Sequence, residues 1–206
     1  METPTLEGPN VRLEPLTLEH LPALEAIAFD PSIWSYMVYP MTTPRHLRDW
    51  VQGALDAEAT GATLPWITIS KGNNGNPDHI AGGTRFMGLD LKHRSTELGS
   101  TWLTQSFRGT RVNVEAKLLQ LTYAFETLDL LRVAFKTHDH NLRSKSAIKA
   151  IGGVYEGTFR NHYIMPDGSL RHSVWFSIIR EDWPTIKALL ESRLASRSYT
   201  PIATNP

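Results

Sequence analysis

The sequence predicts an α+β fold, with one mixed, mostly antiparallel sheet of about seven strands flanked by helices. Three observations carry this. From Leu64 to Thr104, apolar-rich runs alternate with turn-forming stretches, which reads as an antiparallel meander. From Val114 to Ile151, a helix-periodic stretch, an alternating strand and a second helical stretch follow one another. Finally, Pro166-Asp167-Gly168 divides two strand-like runs, a hairpin signal.

The elements follow in order. Val11 to Leu16 reads as a short strand. Thr17 is an N-cap for a helix whose apolar stripe is Leu18, Leu21, Leu24, Ile27 and Ala28, ended by Asp30-Pro31. Residues 32 to 43 are irregular and aromatic. Thr43-Pro44 pairs a cap with proline at the first helical position, so a second helix runs from there to about Ala59 and stops at Gly61. Leu64 to Ser70 is a strand, residues 71 to 77 a turn, and His79 to Leu89 the return strand. A turn at Lys92 to Ser95 leads to the strand Thr96 to Thr104. Val114, Leu118, Leu121, Phe125 and Leu128 mark the clearest helix. Leu131 to Thr137 alternates as a half-buried strand. Asn141 to Ile151 is a helix stopped by Gly152-Gly153. Val154 to Met165 and Leu170 to Arg180 form the hairpin, and Glu181 to Leu194 the last helix. One domain is expected over residues 1 to 194, with a flexible tail over 195 to 206.

Composition removes several classes of function. Acidic and basic residues balance at 21 each, which argues against a dedicated nucleic-acid binder. There is no cysteine, hence no disulfide, thiolate nucleophile or Cys-ligated zinc. Met1 to Asn10 lacks the apolar core of a signal peptide. No apolar run nears the ~20 residues of a membrane span, so a cytoplasmic protein without a membrane partner is expected. A serine hydrolase's Gly-x-Ser-x-Gly and a Walker loop are both missing. His138-Asp-His140, with His162 or His172, lacks the spacing of known metal motifs, and no metal is assigned.

The chemistry concentrates between Glu97 and Gly153. There a strand feeds the loop Phe107-Arg108-Gly109-Thr110 and then a helix. Such a loop presents free backbone N–H groups and a positive dipole end to phosphate. Asn141 follows the next strand and starts the next helix.

With Glu97-Leu-Gly-Ser-Thr-Trp-Leu103, Arg108-Gly-Thr-Arg-Val-Asn-x-Glu-Ala-Lys117 and Asn141-Leu-Arg-Ser144 in this order, the chain resembles the GCN5-related N-acetyltransferase (GNAT) superfamily. The closer likeness is to its RimJ/RimL-type branch, over roughly Asn10 to Leu194 in element order. The resemblance implies acetyl-CoA as co-substrate, no metal, and a small-molecule or peptide amine as acceptor. It also implies a homodimer made through the closing hairpin. By resemblance, residues Arg108, Gly109, Thr110, Arg111, Val112 and Asn113 hold the pyrophosphate, with Arg108 and Arg111 adding charge. Trp102, Leu103 and Thr104 lend main-chain groups to the pantetheine arm, and a backbone N–H near Leu103 serves the oxyanion. Of the family's loop pattern only Gly109 matches; Ser106 and Arg111 depart from it.

Asn141 is implied to bond the pantetheine or acetyl end; as a helix-start residue it also reads as a cap, and one Asn can do both. Glu97 is the candidate general base, against the reading of a solvated strand-end glutamate. The family's usual Tyr acid falls at Ile148 here. Ser144 is the candidate that would protonate the leaving thiolate, against that of a serine bonding its own helix. The missing Tyr also leaves open a non-catalytic acyl-CoA-binding module. For the acceptor pocket, Trp34, Tyr36 and Tyr39 are the candidates from the aromatic segment and Tyr163 from the hairpin, with core packing as the other reading.

Overall fold

The computed structural model describes residues 1–72 and 75–196. Among them, eight strands form one sheet: β1 (Leu6–Glu7), β2 (Val11–Pro15), β3 (Thr63–Ser70), β4 (His79–Asp90), β5 (Ser95–Leu103), β6 (Arg132–His138), β7 (Val154–Ile164) and β8 (Leu170–Ile179). Their spatial order is β1-β2-β3-β4-β5-β6-β8-β7. Every pair is antiparallel except β5 with β6. This is the mixed, mostly antiparallel sheet the sequence predicts. The additional strand, β1, has only two residues, too few for any periodicity to announce it.

Helices cover both faces. On one side α1 (Leu21–Glu25), α2 (Pro31–Trp34) and α3 (Pro44–Ala59) pack Leu24, Leu47, Trp50 and Val51 against Ile67, Ile69 and Trp102. On the other, α4 (Arg111–Thr122) and α6 (Trp183–Ser196) join Phe86, Leu98, Val133 and Phe176 in the larger core. A short helix, α5 (Leu142–Ala150), follows β6. Among the described residues no helix is long and apolar enough to cross a membrane.

Two helices differ from expectation for identifiable reasons. The first is not continuous from Thr17 to Ala28. A 3₁₀ turn at Leu18–His20 precedes a five-residue α1 with Pro22 in its first turn, where proline's missing N–H costs nothing. The helix expected from Val114 starts at Arg111, because Thr110 takes the N-cap, and its last turn relaxes into a π-turn over Tyr123–Thr127. Of the tail expected over 195 to 206, residues 195 and 196 belong to α6 and the others lie outside the described residues. The turn expected over 71 to 77 falls partly on residues 73 and 74, also outside them.

Buried charge on α4 ties the sheet edge to the helix layer. Glu115 is 2% exposed, and its carboxylate accepts from Asn10 N–H at 2.7 Å, Asn10 Nδ2 at 2.9 Å and Val11 N–H at 3.0 Å. These bonds satisfy a buried carboxylate with backbone donors at the start of β2.

The β4–β5 pair is close enough to require a bare Cα at Gly82. Its φ is 156°, and a Cβ there would lie 2.0 Å from the Trp102 carbonyl oxygen. Gly82→Ala is expected to push β5 away and cost about 1–3 kcal/mol. The check is a lower urea midpoint at unchanged m; an unaltered midpoint would refute the tight approach.

Candidate functional site

Strands β5 and β6 touch only at their beginnings, where Ser95, Thr96 and Glu97 pair with Arg132, Val133 and Ala134. Beyond Glu97 they diverge. A bulge in β5 accompanies the divergence: between Gly99 and Trp102 it has one residue more than β4 has between Arg85 and Gly83. Ser100 takes up the extra length with a φ of 44°, an uncommon conformation for a side-chain-bearing residue. The wedge so formed is a cleft of about 340 Å³, whose walls come from β5, β6, the start of α4, α5, the Tyr36–Tyr39 segment and the β7–β8 hairpin.

Glu97 and Lys136 stand at one end. Both point to the same face, since Glu97 pairs with Ala134 in parallel register and Lys136 is two residues on. The Lys136 ammonium donates to Glu97 Oε2 at 2.9 Å, and the two side chains are 19% and 14% exposed. Glu97 is therefore a part-buried, paired carboxylate rather than a solvated strand-end residue. Gly99 leaves it room, because a Cβ there would lie 3.0 Å from Glu97 Oε1. Burial alone would lower the Lys136 ammonium, but Glu97 and then Tyr163 outweigh it and hold it above the usual lysine range. Lys136 also lies 5.4 Å from the Tyr163 ring centre. Arg171, 5% exposed, closes this end; it donates to the Tyr36 carbonyl at 3.1 Å and to Ser173 Oγ at 3.1 Å. Burial lowers its pKa from the ordinary arginine value. Lys136 and Arg171 escaped the sequence reading, because alternate basic residues on strands ordinarily face water. The signal that could have found them is their register with Glu97.

The other end holds the loop before α4 and the start of α5. Arg108 donates through Nε to the Leu103 carbonyl at 2.9 Å and through Nη1 to Ser32 Oγ at 2.9 Å, so it links β5, the loop and α2. The Leu103 carbonyl is thus already engaged. Thr110 caps α4, accepting from Val112 N–H at 3.3 Å. Asn141 caps α5, its Oδ1 accepting from Ser144 N–H at 3.0 Å. Asn141 lines the cleft; its cap uses the side-chain oxygen, and its amide nitrogen makes no hydrogen bond to a described residue.

Among the sequence candidates, Glu97, Trp102, Leu103, Arg108, Gly109, Asn113, Asn141, Ser144, Tyr36, Tyr39 and Tyr163 line this one cleft. Thr104, Thr110, Arg111, Val112 and Trp34 do not. Arg111 turns away from the loop and donates to the Leu194 carbonyl of α6, so its charge is spent on a helix C-terminus. Trp34 is core: it is 7% exposed, bonds the Ala28 carbonyl at 2.5 Å and packs on Trp50 and Trp102. Thr104 returns to β4, donating to the Ala81 carbonyl. Val112 is in the core beneath the loop. Of the histidines, His138 and His140 flank Asp139 with their ligand atoms within 4.8 Å. His138 Nδ1 accepts the His140 backbone N–H at 3.1 Å.

Lys117 is the residue least visible in the sequence. It also lines the cleft, from behind β5. It is fully enclosed, and its ammonium donates to Thr101 at 2.9 Å, Gln120 Oε1 at 2.9 Å and Thr84 at 3.2 Å, all neutral groups. Burial without a counter-charge lowers its pKa to about 7.

Comparison with known proteins shows the family of the chain. The sequence pattern of the Acetyltransferase (GNAT) domain matches residues 10–154. A Bacillus subtilis protein named "Putative ribosomal N-acetyltransferase YdaF" is 32% identical over 95 residues, 46% of this chain and 51% of that protein, so the match spans about half of its length. A crystal structure of a "putative acetyltransferase" from T. thermophilus is 37% identical, covers 92% of this chain and 96% of its own, and superimposes with a TM-score of 0.81. The fold is also that of Mycobacterium smegmatis RimJ, solved with CoA-disulfide, at a TM-score of 0.79 and 19% identity over 94% of this chain and 97% of that one. A cleft between two diverging parallel strands, closed by a capped helix on each side, is thus set in a chain that belongs to the GNAT acetyltransferase family.

Proposed function

We propose that this protein moves an acetyl group from acetyl-CoA to the primary amine of a peptide or small molecule, by direct attack while both substrates are bound. The observation that carries the reading is the wedge beyond Glu97, which puts a paired carboxylate at one end and a helix N-terminus at the other. Acetyl-CoA supplies the activated acyl group as a thioester. The cleft fits such a ligand. The unpaired edge of β5 offers main-chain groups to an extended arm, Asn141 lines the same space, and the start of α4 suits a pyrophosphate.

Within this reading Glu97 takes the proton of the attacking amine, directly or through one water. Lys136 holds the carboxylate in place. Ser144, half-buried in the first turn of α5, gives the leaving group its proton. Ile148 is buried at the position of the family's usual acid and adds only an apolar wall. Tyr36, Tyr39 and Tyr163 shape the acceptor end. The name of the B. subtilis relative makes a ribosomal-protein N-terminus one acceptor to test.

Titration calorimetry with CoA and with acetyl-CoA is expected to show saturable binding in the micromolar range. Thiol release from acetyl-CoA should then depend on added amine. No binding at high micromolar ligand overturns the reading; binding without thiol release from any amine favours a non-catalytic CoA-binding module.

A further inference from the structure

The sheet face that carries Glu97 also carries an arginine that acetyl transfer does not require. Arg85 of β4 pairs with Gly99, and Met87, two residues on, pairs with Glu97. Arg85 and Glu97 are therefore diagonal neighbours on one face, about 7–8 Å apart at the backbone. Arg85 is 7% exposed, and its guanidinium lies 4.2 Å from the centre of the Trp50 ring. Its Nη2 is buried without a hydrogen-bond partner, and so is Trp50 Nε1. No ion pair among the described residues includes it: the nearby Asp49 is well exposed and turned to Arg45 instead. Burial with no counter-anion lowers the Arg85 pKa to about 10.

Arg85 and Trp50 both line a second cavity of about 370 Å³, and the Nε and Nη1 of Arg85, unlike its Nη2, are not sealed off and make no hydrogen bond to a described residue. Tyr39 lines this cavity and the main cleft alike, so the second space adjoins the acceptor end of the first. A buried guanidinium with unused N–H groups is costly, and a carboxylate matches its fork. The charge balance of the wider face points the same way. Arg85, Lys136 and Arg171 share it with Glu97, while Arg12 and Arg132 farther along are paired with Glu14 and Glu156.

We propose that Arg85, seated on the Trp50 ring, binds the carboxylate of the acceptor, so that the substrates are primary amines carrying an acid several bonds from the amine. This rests on the acetyl-transfer reading and adds the acceptor's chemistry to it. The distance between Arg85 and Glu97 suits an acidic second residue in a peptide or the far end of an ω-amino acid.

The test uses matched acceptors that differ only in charge: alanyl-glutamate amide against alanyl-glutamine amide, and 5-aminopentanoate against 5-aminopentanamide. With the intact protein and acetyl-CoA, the acid of at least one pair is expected to have a kcat/KM about tenfold or more above its amide. The pair that shows it identifies the source as peptide or small molecule. Arg85→Met should bring that ratio near one, and Arg85→Lys should keep part of it. Calorimetric titration of the same four compounds into the CoA-bound protein reads the preference without turnover. An equal response to acid and amide overturns the proposal, as does a preference that survives Arg85→Met. Absence of transfer to every amine would instead overturn the acetyl-transfer reading, and the titration would still report on Arg85.

Discussion

Glu97→Gln is expected to slow acetyl transfer to a lysine-type amine by about 10²–10⁴-fold. Two consequences of the substitution act together. Glutamine cannot accept the amine's proton, and Lys136 loses the carboxylate that holds its ammonium in place at 2.9 Å. With Glu97 gone, burial is left as the main influence on Lys136 and draws its pKa down. The loss should be smaller for an α-amine, whose pKa of ~7.7–8.0 leaves a neutral fraction at neutral pH, than for a lysine amine at ~10.4. Steady-state rates over a series of amines of rising pKa give the measurement. Lys136→Met, with Glu97 intact, separates the two effects: a base that its partner only holds in place loses much less rate there than Glu97→Gln does. A Glu97→Gln rate equal to wild type across the series would remove Glu97 from the mechanism.

What the sequence disclosed and what it withheld follow one physical divide. Features set by local chemistry were legible. Thr43 caps α3 and Pro44 opens it at the predicted positions, Asn141 caps α5, and Pro166-Asp-Gly168 turns the closing hairpin. Each is decided within a few residues. Features set by tertiary placement were not. Helix α4 is wedged between the sheet and α6, so Val114, Glu115, Ala116 and Lys117 are all buried and no amphipathic stripe marks its polar members as interior. Arg85 alternates on β4 as a surface residue would, and only α3, packed over it through Trp50, makes it interior. The aromatic segment divides in the same way. Tyr36 and Tyr39 reach the cleft while Trp34, in the last turn of α2, is claimed by the core. Glu97 and Asn141 could be picked out by their place in the order of elements, but the partners that give Glu97 its setting arrive from β6 and β8 and needed the register.

Lys117→Met is expected to stabilise the protein at neutral and lower pH, with the gain disappearing as pH rises. Lys117 is enclosed among Thr84, Thr101 and Gln120 with no acid partner, and burial lowers its pKa from 10.5 to about 7. Below pH 7 the lysine is protonated in both the folded and the unfolded chain, and the full cost of burying the ammonium is felt. Between pH 7 and 10.5 the unfolded chain holds a proton that the folded chain has lost, so wild-type stability rises with pH, by about 1.4 kcal/mol per unit. Above that window both forms are neutral and the cost is gone. Methionine has a similar length and no charge. Thr84 and Thr101 still bond each other at 2.8 Å, and Gln120 Nε2 still reaches Thr84 at 3.3 Å, so the polar pair behind the β5 bulge remains satisfied. Urea unfolding of wild type and variant at several pH values from 6 to 9 provides the check. The variant should lead by several kcal/mol at pH 6 and by clearly less at pH 9. A lead that does not change with pH would mean that the lysine never carries an uncompensated charge in the folded protein. A variant less stable than wild type at pH 6 would mean that its three hydrogen bonds outweigh the desolvation of the ammonium.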